Sequence, residues 1–426
     1  VVHPLFVSLR TQLQAYTPEA VAETVGVPAT TVRELARMAG SGRTMISIGG
    51  SASKTYHADL FQRSILLVLA LTGNWGRQGS GTAWWNVTHG DSMQIGAAKP
   101  SAGPEGAEAV IQMLEMLEES LKAQDPTLTD ELAAFAMYRT VLAGRQMVPP
   151  FFFWYWHCGF RERWNNISWG DPTMQRTFDE FVEEALASGW WDGLQRPGPE
   201  MPPRVLIECG GNILRRTRGG ANLLLEHLWP QLDLIATIDF RLSATAMQAD
   251  LVLPAAQHYE KVATAMPSME LVLGDRVVEP MDEAWAEWEI FAALSRSIAK
   301  RAAERGLDEY VTRDGVTRRY DELWSTFTFN GMLQSTEQVI DENVRDGAHM
   351  GILPEGSDLS TLRIRGRLPF IDWGRTPLGR GEAAPWPEDG RNYCALSNHV
   401  DKGHPYPTLT RRAQFLIEHP WFVEAG

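Results

Sequence analysis

The sequence predicts an α/β fold in which parallel sheets are flanked by helices, with the start of a C-terminal β-rich domain. Three observations predict it. Between residues 205 and 255, short apolar runs alternate with helical segments, the pattern of a parallel sheet covered on both faces. Three apolar runs, ending at Ile48, Glu208 and Ile238, lead into glycine-bearing or polar turns. The stretch "PYPTLTRRAQFLIEHPWF" near the end alternates apolar and polar residues, as β structure with one buried face does.

Taken in order, "YTPEAVAETVGVPATTVRELARMAG" predicts two short helices. Thr17 caps the first with Pro18 in its first turn, Thr30 with Glu34 suits the start of the second, and Gly40 ends it. Thr44–Gly50 is a β-rich run closing on a glycine pair. The helix expected over residues 59–72 is apolar on most sides and so reads as buried, and it stops at the glycine-punctuated loop "TGNWGRQGSG". Residues 104–145 and 174–188 show helical spacing. The aromatic block Pro149–Phe160 reads as a buried strand. Strands are expected over 205–208, 232–238 and "LVLPAA", and helices over 218–228 and 285–305. After residue 306 the Gly, Pro and Asp content predicts a long irregular connection.

The 426 residues are enough for two or three cores. A net charge of −14 argues against general nucleic-acid binding, which wants a basic face. Cys158, Cys209 and Cys394 lie far apart, so no zinc or iron–sulfur site is predicted from motif spacing. No apolar run approaches the roughly 18 residues of a membrane span. The opening "VVHPLF" and the ending "WFVEAG" suggest a piece of a longer polypeptide.

Ligands of open parallel sheets bind beyond the carboxyl ends of the strands. Glycines at "IGGSASKTYHAD" and "CGGNILRRT" let backbone N–H groups approach an anion, with added positive potential from a following helix N-terminus. Lys54, Arg215, Arg216 and Arg218 are candidates to neutralise a pyrophosphate. Asp239 is a candidate acceptor for a paired N–H edge such as that of guanine. Each feature alone has a plainer reading: a common turn, a helix cap, a solvated basic face, and for His57 a satisfied polar group near the core. Their recurrence at several strand ends favours a ligand site. Adjacent Trp84 and Trp85 after a glycine loop suit either a core or the wall of an apolar pocket.

The motifs "LALTGNWGRQGSG", "CGGNILRRTRGG", "IDFRLSATAMQADLVLPAAQHYEK" and "YPTLTRRAQFLIEHPWF", in this order, resemble the catalytic alpha subunits of the dimethyl sulfoxide reductase family of molybdenum enzymes. The resemblance is to its type II branch, with ethylbenzene dehydrogenase and steroid C25 dehydrogenase as the nearest likeness, and it covers nearly the whole chain. It implies a molybdopterin-dependent oxidoreductase whose molybdenum is held by two molybdopterin guanine dinucleotides. Residues 1–90 would end one α/β cofactor-binding domain. Residues 91–330 would form the α/β guanine-dinucleotide-binding domain, and 331–426 a connection and the start of a C-terminal β-rich cofactor-binding domain.

Carried over by position, Gly210, Gly211 and Asn212 meet one dinucleotide together with Arg215 and Arg216. Ile238 and Asp239 hold its guanine, with Lys261 nearby. Gly49, Ser51 and His57 face the pterin side. Lys54 is the catalytic candidate, and Gly50, Trp84 and Trp85 border the substrate. No metal ligand is expected within these residues. The iron–sulfur segment, the metal-ligating aspartate and the twin-arginine export signal are expected upstream, which implies a periplasmic location. The expected partners are an iron–sulfur beta subunit and a haem b gamma subunit, with no nucleic acid and no membrane span. A small Gly50 suggests oxygen-independent hydroxylation of a bulky hydrocarbon, a steroid side chain or an alkylbenzene, with water as oxygen source. The alternatives are reduction of an oxyanion (selenate, chlorate, perchlorate or nitrate), dimethylsulfide dehydrogenation, and a non-catalytic cofactor-binding module.

Overall fold

A computed structural model describes residues 4–49, 58–83, 95–128, 160–166, 175–188, 202–217, 220–265, 270–312, 315–371 and 396–401, with a few isolated positions beside them. Three helices open the chain: α1 (Leu5–Leu13), α2 (Pro18–Val25) and α3 (Ala29–Gly40). Thr17 caps α2 as its sequence predicts, its hydroxyl accepting the Ala20 N–H at 3.2 Å. Gly26 ends that helix in the left-handed region, at φ 67°. Thr30 does not cap α3. The helix starts one residue earlier, after Pro28, whose extended ψ of 139° leads straight into the first turn, so Thr30 is already helical.

Strand β1 (Met45–Ser47) pairs in parallel with β2 (Gly81–Ala83), and α4 (Ala58–Leu71) connects them. The glycine loop between α4 and β2 is pinned by a buried Asn74. Its carbonyl oxygen accepts the Thr44 N–H at 3.0 Å and its amide donates to Thr72 Oγ1 at 2.8 Å. Contrary to the sequence expectation, α4 is not buried all round. Among the described residues only Leu69 is enclosed, while Phe61, Val68 and Leu71 are exposed. A two-stranded sheet offers a single face to pack on, and one helix stripe suffices to cover it.

Helix α5 (Pro104–Gln124) carries Ala107, Val110, Ile111 and Leu114 into the main core. Helix α6 (Phe160–Trp164) and α7 (Phe178–Ala187) follow, the latter opened by a Thr177–Glu180 capping box. Of the aromatic block expected as a strand, only Tyr155 and Phe160 are described. Phe160 begins a helix, and the rest of that expectation lies outside the described residues. Tyr155 is buried and stacks on Trp164, with ring centroids 5.5 Å apart. Burial first, and then the Asp179 carboxylate, push its phenol up to about 12.

Next comes the expected alternation. Strands β3 (Val205–Cys209), β4 (Leu234–Asp239) and β5 (Leu251–Pro254) form one parallel sheet in that order, with Glu208 opposite Thr237 and Ala236 opposite Leu251. Between β3 and β4 lie two four-residue helices, α8 (Ile213–Arg216) and α9 (Gly220–Leu223), then wider and tighter helical turns through Gln231. The helix expected over 218–228 is thus broken into short pieces. β6 (Ala263–Ala265) and β7 (Glu270–Gly274) follow as an antiparallel pair. Helix α10 (Glu287–Glu304) then packs Ile290 against Ile238 and Ala255.

The region after residue 306 is more ordered than its composition suggests. It contains the hairpin β8 (Glu309–Val311)–β9 (Thr317–Arg319), then α11 (Leu323–Phe327), α12 (Thr336–His349) and α13 (Leu359–Arg365). Strand β10 (Arg367–Pro369) joins β7, completing an antiparallel sheet that the α/β alternation did not foresee. Val344, Leu362 and Leu368 fill the core beneath α5. The apolar positions of these helices and of β10 are masked in sequence by the surrounding acids and glycines. At the far end α14 (Ser397–Val400) is described. Residues 412–416 carry no strand, and the rest of the β-rich expectation falls outside the described residues. Among those residues no helix is long and apolar enough to cross a membrane.

Candidate functional site

The carboxyl ends of β3 and β4 lie side by side, and the turn that leaves β3 answers why two glycines stand there. Gly210 adopts φ 64°, which a side chain resists, and its N–H donates to Ile238 O at 2.9 Å. Gly211 is a glycine for a different reason. A Cβ there would stand 1.9 Å from Glu208 Oε1 and 3.7 Å from an Arg216 guanidinium nitrogen. The carboxyl of Glu208 therefore occupies the space a side chain at 211 needs.

Asn212 precedes α8 without capping it. Its carbonyl accepts the N–H groups of Arg215 and Arg216 at 3.1 and 2.8 Å. The buried Thr245 ties this turn to the one after β4, donating to Asn212 Oδ1 and accepting the Leu214 N–H, both at 3.3 Å. The Gly211 and Asn212 N–H groups find no acceptor among the described residues. With a helix of four residues behind them, the helix dipole adds little. The backbone amides and the arginines supply the positive potential instead.

Asp239 ends β4 as a buried carboxylate. Its Oδ1 accepts the Phe240 N–H at 2.8 Å, and no donor to Oδ2 is found among the described residues. Glu208 and Thr237 lie opposite one another, both buried. Among the described residues, neither oxygen of Glu208 and not the Thr237 hydroxyl has a hydrogen-bond partner. Burial pushes the Glu208 carboxyl above its ordinary value, and the charge of Asp239 adds to this. Arg216 and the Ile213 amide offset it in part, without a well-formed hydrogen bond.

The other predicted residues divide. Ile238 is in the core beneath α10, so only its carbonyl serves the turn. Lys261 is committed to Glu287, both carboxylate oxygens lying 2.5 Å from its ammonium. Arg215 and Arg216 are exposed and form no ion pair among the described residues. Gly49 is described in the exposed loop after β1. Gly50, Ser51, Lys54, His57, Trp84 and Trp85 lie outside the described residues, as does Arg218. Sequence reasoning missed Glu208, Ser243 and Thr245. For Ser243 and Thr245 a signal was present, polar residues in the "SAT" turn just after β4, where Ser243 Oγ accepts the Ala246 N–H at 3.2 Å; for Glu208, inside an apolar run, it was not.

The composition of the site fits a nucleotide: free amides and two arginines for phosphate, and a carboxylate with acceptor capacity for a paired N–H edge. Among the described residues no group of His, Cys, Asp and Glu could hold a metal ion. A cavity of about 750 Å³ lies elsewhere, between α11, α12 and the residues 96–100 that precede α5. Its fully enclosed Lys99 is paired with Glu342 and with both oxygens of Asp346 at 2.9 Å, so its charge is already spent on architecture.

Residues 200–297, which contain the whole strand-end site, match the family model described as Molybdopterin oxidoreductase. The chain is 27% identical to the perchlorate reductase subunit alpha of Dechloromonas aromatica, an alignment covering all of this chain and 40% of that protein. It is 26% identical to the respiratory nitrate reductase subunit alpha of Haloferax mediterranei, covering 100% of this chain and 39% of that protein. Against the dimethylsulfide dehydrogenase subunit alpha of Rhodovulum sulfidophilum the identity is 26%, over 99% and 41%. The chain thus spans about two fifths of the length of these relatives. Each of these relatives is named as the alpha subunit of a reductase or a dehydrogenase, and the region that matches the family model is the one that carries the strand-end turns.

Proposed function

We propose that this chain is the cofactor-binding middle of the alpha subunit of a molybdenum oxidoreductase, and that the strand-end turn holds the guanine dinucleotide part of its molybdopterin. The observation that carries this reading is the Gly210–Asn212 turn, with two unused amides, beside a buried Asp239 with an acceptor to spare. When bound, the molybdenum centre supplies two-electron oxygen-atom transfer. The residues of this chain bind and orient. Asp239 accepts from the guanine edge, and its fixed Phe240 contact keeps the carboxylate in one orientation. The Gly211 and Asn212 amides, with Arg215 and Arg216, meet phosphate oxygens. Thr245 locks the two turns together so that these groups stay in register.

For the substrate, the relatives named perchlorate, nitrate and chlorate reductase support an oxyanion reductase, with dimethylsulfide dehydrogenation second. Hydrocarbon hydroxylation, the first expectation from the sequence, rested on Lys54, Gly50, Trp84 and Trp85, and the names of these relatives give it no support. The positive charge of Lys54, the catalytic candidate of the sequence, is compatible with an oxyanion substrate. The iron–sulfur and haem partners and a periplasmic location belong to the same proposal. Turnover of the intact enzyme on chlorate, nitrate, dimethylsulfide and ethylbenzene tests it. Reduction of chlorate or nitrate is expected, whereas turnover on ethylbenzene alone restores the hydroxylase reading.

A further inference from the structure

Glu208 has no task in the nucleotide reading, yet its surroundings are unusual. It is a buried acid without a hydrogen-bond partner among the described residues, on the strand that ends at the turn. The cross-strand neighbour offers nothing, because the Thr237 hydroxyl is itself unpartnered. What stands close is Arg216. A Cβ on Gly211 would touch Glu208 Oε1 on one side, at 1.9 Å, and face the Arg216 guanidinium on the other, at 3.7 Å. Gly211 therefore leaves room that the carboxyl occupies and that the guanidinium faces. Arg216 is exposed and forms no ion pair among the described residues.

A buried carboxyl and an exposed arginine on the same side of Gly211, neither in an ion pair among the described residues, attract each other, and with one partner buried the pair is screened less than a surface pair. The attraction restricts where the guanidinium can sit without using up its donors. We propose that Glu208 is a positioning residue for Arg216: acting through the gap left by Gly211, it holds the guanidinium over the strand-end turn, where its free donors meet the phosphate of a bound nucleotide. The proposal rests on the nucleotide reading of the site. It gives the second glycine a role beyond the turn, since any side chain at 211 would fill the gap and separate the pair. Arg215, the adjacent arginine, borders no such gap.

The test uses the cofactor-free full-length subunit with guanosine 5′-diphosphate and guanosine as probes, measured by calorimetry. The variants are Arg216→Ala, Glu208→Gln, the double variant and Asp239→Ala. Glu208→Gln keeps shape and removes the charge. Arg216→Ala is expected to weaken the diphosphate about tenfold, the loss of one charge-assisted contact. Glu208→Gln should weaken the diphosphate several-fold and leave guanosine unchanged, and the double variant should be no weaker than Arg216→Ala alone. Additive losses in the double variant overturn the proposal, because two independent contributions would be at work. Equal weakening of guanosine and diphosphate by Glu208→Gln also overturns it, because that signals a merely structural role. If Asp239→Ala weakens guanosine while Arg216→Ala leaves the diphosphate untouched, the nucleotide reading stands and the proposal falls. If Asp239→Ala affects neither probe, both fall.

Discussion

Two regions of this chain bury charge, and they treat it in opposite ways. Around α5 and α12 the charges are paired. Lys99 meets Glu342 and Asp346, and Glu108 takes His349 at 2.8 Å and a two-pronged contact from Arg375 at 2.9 and 3.0 Å. At the ends of β3 and β4, among the described residues, the buried Glu208 has no hydrogen-bond partner, the Thr237 hydroxyl has none, and two backbone amides have no acceptor. Paired charge fixes how helices and segments meet. Unpaired polar groups cost stability, and they persist where a ligand uses them or where they position a group that does. A cavity of about 750 Å³ lies in the first region, yet its enclosed lysine is already paired.

The contrast can be broken or sharpened by substitution. The largest effect is expected from Lys99→Met. Removing the cation leaves the buried Asp346 facing the half-buried Glu342 without compensation, a loss of about 3–5 kcal/mol for a broken buried pair. Chemical unfolding of the intact subunit measures it. A loss below about 1 kcal/mol would place the triad with ordinary surface pairs.

Gly211→Ala comes next. The added methyl must displace the Glu208 carboxyl, at a cost of about 1–3 kcal/mol for overpacking. Nucleotide content should fall along with stability, because the turn moves. Gly210→Ala meets open space and carries only the strain of its φ of 64°. A larger loss at 210 than at 211 would contradict the account of the two glycines.

Thr245→Val removes two hydrogen bonds between the turns, about 1–2 kcal/mol in total. Its effect should show mainly in cofactor content. Thr237→Val, by contrast, replaces a hydroxyl that has no partner and should leave the unfolding midpoint of the cofactor-free subunit unchanged or slightly raised.

The smallest effect concerns Glu108. Hydrogen bonds from Arg375 first, and then from His349, hold its carboxyl down at about 2. A depressed carboxylate contributes stability that is fully present above its ordinary pKa of about 4.5 and is lost as pH falls through about 2. The group is partly exposed, so solvent screening keeps the contribution below about 1 kcal/mol. Glu108→Gln should flatten that part of the acid-unfolding curve and leave stability at neutral pH nearly untouched by comparison with Lys99→Met.

The legibility of the sequence differs between these regions too. The β3–β4–β5 sheet was readable because strand length, apolar runs and glycine turns are local signals. Gly210, Gly211, Asn212 and Asp239 could be singled out with them. Glu208 could not, because a glutamate inside an apolar run looks like a solvent-facing strand position. Only the glycine three residues on shows where its carboxyl goes. The α5–α12 core was illegible for the opposite reason. Val344, Leu362 and Leu368 come from acid- and glycine-rich stretches, and their partners on α5 lie more than two hundred residues away. Ile238 shows a further limit: position at a strand end suggested ligand contact, whereas pleat alternation turns its side chain into the core beneath α10.

The central claim is that the β3–β4 strand ends hold a guanine dinucleotide. Guanine nucleotide and molybdenum content per intact subunit, compared between the parent, Asp239→Ala and Glu108→Gln, tests it most directly. The account predicts that Asp239→Ala loses most of both while Glu108→Gln, altered far from the strand ends, retains them. Full occupancy in Asp239→Ala would contradict it.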